Sequence, residues 1–186
     1  MFYPGNVKKE YNKQINYANR GMDLENLLNQ SNEYYLEINR AVIYKKPTPI
    51  TISEVKYGAK ERVITKAYFR TPSTLDYNGI YRGRYIDYDA KETKNKTSFP
   101  LANLHEHQLL HIKRVIEHGG ISFLIIYMNN NFYYLDGLDI INFIEENDRK
   151  SIPFSYIEEK GIVIEQKIKP RLNYLDVIDQ IYFKED

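Results

Sequence analysis

Apolar and polar positions switch between helical and strand spacing several times along the chain. From Asp23 onward Leu24, Leu27, Leu28, Ser31 and Tyr35 line one face of a helix, with Asp23 placed to cap it. Asn19-Arg20-Gly21 is the entry loop, in which Arg20 either reaches a phosphate or serves the structure. A short apolar strand at 41–44 is stopped by Lys45-Lys46-Pro47-Thr48-Pro49, whose two prolines hold the link extended and remove two backbone donors. Segments 50–57 and 63–69 read as two strands around a turn at Gly58-Ala59-Lys60. The almost continuously apolar run 121–128 suits a buried central strand, Asn129 to Asn131 turn the chain, and 132–135 pair back. An amphipathic helix at 138–146, a strand near 162–168 and a closing helix at 172–183, with Leu175, Ile178 and Ile181 inward, complete the pattern. This order predicts an α/β protein with a mixed β-sheet flanked by helices.

The stretch from Thr74 to Lys91 carries the candidate chemistry. Tyr85, Asp87, Asp89 and Lys91 fall on one face of a strand, and Ile86, Tyr88 and Ala90 on the other. If the chain reverses at Arg82-Gly83, antiparallel partners have numbers summing to 165, so Asp76 faces Asp89 and Thr74 faces Lys91. Opposed residues have Cβ atoms about 4.5–5.5 Å apart. Like charges so placed normally weaken a sheet, and a divalent cation with oxygen ligands turns that cost into binding. The dipeptide Asn78-Gly79 is the stronger hairpin signal, and a turn there would set Asp76 opposite Tyr81 and separate the acids. Both registers are open on the pattern alone, as is a solvated polar face.

Pro100 opens a helix predicted to run to His118, with Leu101, Leu104, Leu109, Ile112, Val115 and Ile116 on one arc. Gln108 lies in the middle of that arc. A buried amide needs a partner, and either a metal or the backbone would supply one. His107 and His111 are four apart, yet no HExxH motif or matching ligand set accompanies them, which favours solvated or phosphate-facing histidines over a zinc site.

At 186 residues without cysteine, the chain has room for one core and lacks a disulfide framework, a thiolate zinc site or a Cys nucleophile. No run approaches the roughly 18 apolar residues of a membrane span, and no apolar signal segment opens the sequence, so a cytoplasmic protein is expected. The net charge of +1 conceals an uneven distribution: residues 40–96 hold 13 Lys and Arg against 6 Asp and Glu. That excess surrounds the candidate site and would gather a phosphate backbone. Candidate DNA contacts are Arg20, then Lys56, Lys60, Arg62, Lys66, Tyr68, Phe69 and Arg70 on the 50–69 strand pair, then Lys94 and Lys96 in the polar loop after the site. Residues 1–18, polar and basic, read as a flexible arm, and 19–186 as a single domain.

Several stretches together resemble the RecU family of Holliday-junction resolvases. They are Asn19-Arg20-Gly21-Met22, Lys45-Lys46-Pro47-Thr48-Pro49-Ile50, Ala67-Tyr68-Phe69, Ser73 to Gly79, Tyr85 to Leu101, His105-Glu106-His107-Gln108 and Ile181-Tyr182-Phe183. The likeness spans about residues 19–184 and is most specific from Ala67 to Gln108. It implies a restriction-endonuclease-like core, assembled as a homodimer, that cuts four-way DNA junctions with Mg²⁺ or Mn²⁺. Carried over by position, the metal site is Thr74, Asp76, Asp89 and Gln108, with Lys91 as the catalytic cation. The segment from about Glu54 to Thr74 becomes the stalk that enters the open centre of the junction. A recombinase and a branch-migration helicase are implied as partners. The family usually carries Glu where this chain has Asp89, so the shorter acid is expected to shift the metal by about a methylene and slow the reaction. A duplex-cutting restriction-type nuclease and a non-catalytic junction-binding accessory are the alternatives.

Overall fold

The computed structural model describes residues 23–70 and 74–184. The expected arm at 1–18 and Arg20 lie outside them. The first helix, α1 (Leu24–Glu37), is capped by the Asp23 carboxylate, which accepts from the Glu25 N–H. Strand β1 (Val42–Lys45) follows, then the pair β2 (Ile50–Tyr57) and β3 (Arg62–Phe69), then the hairpin β4 (Tyr77–Tyr81) and β5 (Arg84–Glu92). A short strand β6 (Ser98–Pro100) and a 3-10 turn (Leu101–Asn103) lead into α2 (Glu106–Glu117). After it come β7 (Ile121–Met128), β8 (Asn131–Asp136), α3 (Gly137–Glu146), β9 (Ser151–Pro153), α4 (Phe154–Lys160), β10 (Ile162–Val163) and α5 (Tyr174–Tyr182).

Six strands form the main sheet in the order β1-β4-β5-β7-β8-β10. Only β5 and β7 pair in parallel, and α2 supplies the crossover that a parallel pair requires. This is the mixed sheet flanked by helices that the element order predicted. Because side chains alternate along β7, Ile121, Phe123 and Ile125 enter a core shared with α1 and α5, while Leu124, Ile126 and Met128 enter a second core against α2, α3 and α4. Burial on both faces explains the uninterrupted apolar run. Across the first core runs a stack of rings, Tyr77 on Tyr88 (centroids 4.7 Å), Tyr88 on Phe123 (4.8 Å) and Phe123 on Tyr134 (4.4 Å). Cross-strand aromatic pairs of this kind stabilise a register. The pair Tyr77 and Tyr88 does so one residue from the candidate acids.

Strands β2 and β3 stand outside this scheme. They pair only with each other, every residue of β3 is exposed, and in β2 only Val55 is even half-buried. Their root is fixed by the Arg70 N–H donating to the Pro49 carbonyl at 2.9 Å.

Four expectations are corrected. The helix predicted from Pro100 starts at Glu106, because Ser98–Pro100 is drawn into an antiparallel pair with Ser151–Pro153. The late strand shrinks to Ile162–Val163 plus an isolated bridge from Gln166 to Leu172. Strand β9 and helix α4 have too little periodicity to be seen in the sequence. The closing helix begins at Tyr174, and Ile181, expected inward, is 39 % exposed, while Tyr182 and Phe183 beside it take the places against the core.

Candidate active site

The hairpin settles which turn the chain uses. Its ladder runs from Tyr81 opposite Arg84 to Tyr77 opposite Tyr88, each pair summing to 165. Arg82 and Gly83 make the turn with φ of 47° and 79°, as a two-residue hairpin turn with both central residues left-handed demands. Asn78-Gly79 lies inside β4 instead, with Gly79 paired to Ile43 on one side and Ile86 on the other. One step past the ladder's end, the Asp76 and Asp89 carboxyl groups meet within hydrogen-bonding contact.

Asp89 is fully buried, and its environment supplies a partner to each oxygen. Oδ1 accepts the Ala90 N–H at 2.8 Å; Oδ2 accepts from Gln108 Nε2 at 2.8 Å and lies 2.8 Å from the Lys91 ammonium. Gln108 is buried as the helical arc implied, and its other end is also bonded, Oε1 accepting the His105 N–H at 3.1 Å where α2 begins. Asp76 is open to solvent on one side. Burial of the rest, and then the charge of Asp89, raise its carboxyl above the usual range, while Lys91 and Lys45 pull the other way. Thr74 is half-buried at the bend before β4, its hydroxyl donating to the Leu75 carbonyl at 3.4 Å. No described bond joins it to the acids. The structure thus brings Asp76, Asp89, Lys91 and Gln108 together and leaves Thr74 alongside.

The two carboxylates are of the kind that a divalent cation takes. Among the described residues no three His, Cys, Asp or Glu side chains gather about one point. Two carboxylates completed by neutral oxygens, water and substrate phosphate are what Mg²⁺ ordinarily takes. The histidines have other occupations: the His105 and His107 rings stack at 5.4 Å, and His111 Nε2 lies 3.3 Å from Asp87.

The raised acid makes a testable sign. In metal-free protein the folded Asp76 binds its proton more tightly than the unfolded chain does. Stability contributed by this group is therefore present at low pH and falls as pH rises out of the carboxylate range. Asp76→Asn is expected to abolish that fall. If Asp76 holds a divalent cation, that ion would compete with the proton, and thermal unfolding with added Mg²⁺ should show wild-type stabilisation that grows with pH and little stabilisation of the variant.

A second buried carboxylate lies two residues before Asp89. Asp87 Oδ2 is 2.6 Å from the Lys46 ammonium and accepts from the Tyr85 hydroxyl at 2.6 Å. Burial and that bond push the Tyr85 phenol up to about 12, keeping it a donor. The alternation already placed Asp87 on the site's face, but only the pairing of β1 with β4 shows that Lys46 is there too.

The candidate DNA contacts divide by element. Lys56, Lys60, Arg62, Lys66, Tyr68, Phe69 and Arg70 lie on or at the base of the exposed hairpin, where Phe69 is 84 % exposed and Arg62 lies over the Tyr57 ring at 5.7 Å. Lys94 and Lys96 are exposed in the loop after β5, which Asn95 shapes by accepting from the Thr97 N–H at 3.0 Å.

The mixed, helix-flanked sheet that carries these two acids, the lysine and the buried amide is consistent with a nuclease-like fold. A family model described as Recombination protein U matches residues 19–180. Relatives named Holliday junction resolvase RecU include that of Geobacillus sp. strain WCH70, 50 % identical over 97 % of both chains. That of Geobacillus kaustophilus is 53 % identical over 90 % of this chain and 86 % of the relative, and that of Bacillus cytotoxicus 49 % over 92 % and 88 %. The chain belongs to the RecU family.

Proposed function

We propose that this protein is a Holliday-junction resolvase, a structure-specific endonuclease that makes paired, symmetric nicks in four-way DNA junctions during recombination and repair. The observation that carries the reading is the meeting of Asp76 and Asp89 with Lys91 2.8 Å from Asp89, in a chain about half identical to relatives bearing that name.

Each residue has a part. Asp76 and Asp89 hold a divalent cation, Mg²⁺ or Mn²⁺, which when bound polarises the scissile phosphate and lowers the pKa of a water. Lys91 stabilises the charge that builds on the phosphoryl oxygens and helps orient the attacking water. Gln108, anchored through its Oε1 to the first turn of α2, keeps the buried Asp89 oriented through its Nε2. Thr74 contributes a hydroxyl beside the acids. A homodimer would set two such centres about a two-fold axis, the symmetry of a four-way junction. A recombinase and a branch-migration helicase are the partners this role implies, and the cytoplasm is its place. No helix among the described residues is long and apolar enough to cross a membrane.

The test uses labelled four-way junction, linear duplex and a fork, each with and without Mg²⁺. Paired nicks in the junction alone support resolution. Cutting of the duplex would mark a restriction-type nuclease, and a metal-independent shift without product would mark a binding accessory.

The β2–β3 hairpin, basic, aromatic and packed on nothing else, suits a stalk entering the junction's centre. Replacing Thr51 to Tyr68 by a short Gly-Ser link should leave the thermal unfolding of the remainder unchanged within a few degrees, because no core residue is removed. Junction affinity should fall at least tenfold with a reduced salt slope, each lost phosphate contact removing roughly 0.9 from it. Gel-shift titrations at several salt concentrations read both.

A further inference from the structure

We propose that Lys46 is a second phosphate-binding cation of the active site, carried to its place by the buried Asp87 carboxylate; this rests on the nuclease reading above. Lys45 pairs with Tyr77 and Tyr77 with Tyr88. One step further, Lys46, Asp76 and Asp89 lie side by side on three adjacent segments, and the Lys46 N–H donating to the Asp76 carbonyl at 2.7 Å extends the ladder that far. Alternation separates the two lysines. Lys45 shares the α1 side with Tyr77 and pairs with Glu25, whereas Lys46 shares the side of the carboxylates.

The two buried acids of β5 are furnished alike. Asp89 has Lys91 and the α2 residue Gln108; Asp87 has Lys46 and the α2 residue His111. What differs is that Asp87 has no second acid beside it. The ammonium, the Tyr85 phenol and the His111 imidazole all lie about Asp87 Oδ2. Its ammonium is only partly used. Lys carries three N–H donors, and the sole acceptor of the Lys46 ammonium among the described residues is Asp87. Asp87 is fully buried, yet the Lys46 side chain remains 21 % exposed, the same as Lys91. Two residues of strand separate Asp87 from Asp89, about 6.6 Å. The two lysines therefore bracket the acid pair along β5, and a phosphodiester bound at the acids has Lys91 on one side and Lys46 on the other. The ligand class is the DNA backbone at or next to the scissile phosphate.

A simpler role, neutralising Asp87, makes a different prediction, and removing both charges at once separates the two. The variants are Lys46→Met, Lys46→Arg and the double variant Lys46→Met with Asp87→Asn. Single-turnover cleavage of a four-way junction, its affinity across a salt series without metal, and thermal unfolding are measured for each. Lys46→Met should cut at least tenfold more slowly and bind with a salt slope smaller by about one, and Lys46→Arg should recover most of both. The double variant should regain thermal stability, because no unpaired charge stays buried, but neither the rate nor the slope. A double variant that cuts as fast as wild type with the wild-type slope would overturn the proposal. Wild-type protein that cuts no DNA would defeat the nuclease reading, and the salt slope would still decide the Lys46 contact.

Discussion

Asp89→Asn protein is expected to bind four-way junctions nearly as well as wild type and to cut them at least about 10³-fold more slowly, a loss of roughly 4 kcal/mol of transition-state stabilisation at 1.36 kcal/mol per tenfold. The substitution is nearly isosteric, and an asparagine oxygen still accepts from the Ala90 N–H, so the fold should persist. What it removes is the charge that opposes Asp76 and that a cation would join. Lys91→Met should cost about 10²–10³ in rate, the scale for deleting one preorganised group that stabilises developing charge. Asp89→Glu, which keeps the carboxylate, should retain cleavage within about tenfold. Single-turnover assays with gel-shift titrations of the same samples check all three. Undiminished cutting by both Asp89→Asn and Lys91→Met would remove these residues from the chemistry.

The second large effect is on folding. A Cβ added at Gly79 would stand 2.0 Å from the Val42 carbonyl oxygen and 2.6 Å from Ile43 Cα, both backbone atoms that no rotamer change can move aside. Gly79→Ala must therefore push β1 off β4. Overpacking of this kind costs about 3 kcal/mol or more, and at 2–4 °C for each kcal/mol in a chain of this size the midpoint should drop by roughly 6–12 °C. Activity should fall with it, since the displaced edge carries the Lys46 bond to the Asp76 backbone. Gly83→Asn is the control: nothing lies within 4 Å of a Cβ there and asparagine tolerates the positive φ, so calorimetry should find a far smaller change.

Gly79 also shows where the sequence misleads. Asn78-Gly79 has the composition of a tight turn, but the glycine is needed for close approach of a neighbouring strand, and turn propensity cannot distinguish those two uses. The weaker signal at Arg82-Gly83 prevailed because it alone lets Tyr77 stack on Tyr88 and puts Ile86 and Tyr88 in the core. The alternation of β5 and the burial of Gln108 were legible as local periods, and β7 as an apolar run long enough for a strand buried on both faces. Strand β9 and helix α4 were not, being three and seven residues long and dependent on a partner about fifty residues earlier in the chain. Of the site, Asp76, Asp89, Lys91 and Gln108 could be gathered from one hairpin and one helical arc. Lys46 and His111 could not, because their place follows from the pairing of β1 with β4 and the docking of α2, which no local pattern encodes.

The turn between β4 and β5 has one more fastening. Asp179 on α5 accepts from the Tyr81 hydroxyl at 2.9 and 2.8 Å and pairs with Arg82 at 3.2 Å and Arg40 at 2.9 Å. Arg82 and Asp179 are 97 residues apart, a distance the ribosome covers in about 5–20 s at 5–20 residues per second. Until then a nascent chain carries Asp76 and Asp89 on a hairpin whose tip has the Arg84 bonds to the Gly119 carbonyl but not the Asp179 clasp. The clasp forms only after α5 has been translated, so the tip of the hairpin and the closing helix are secured together.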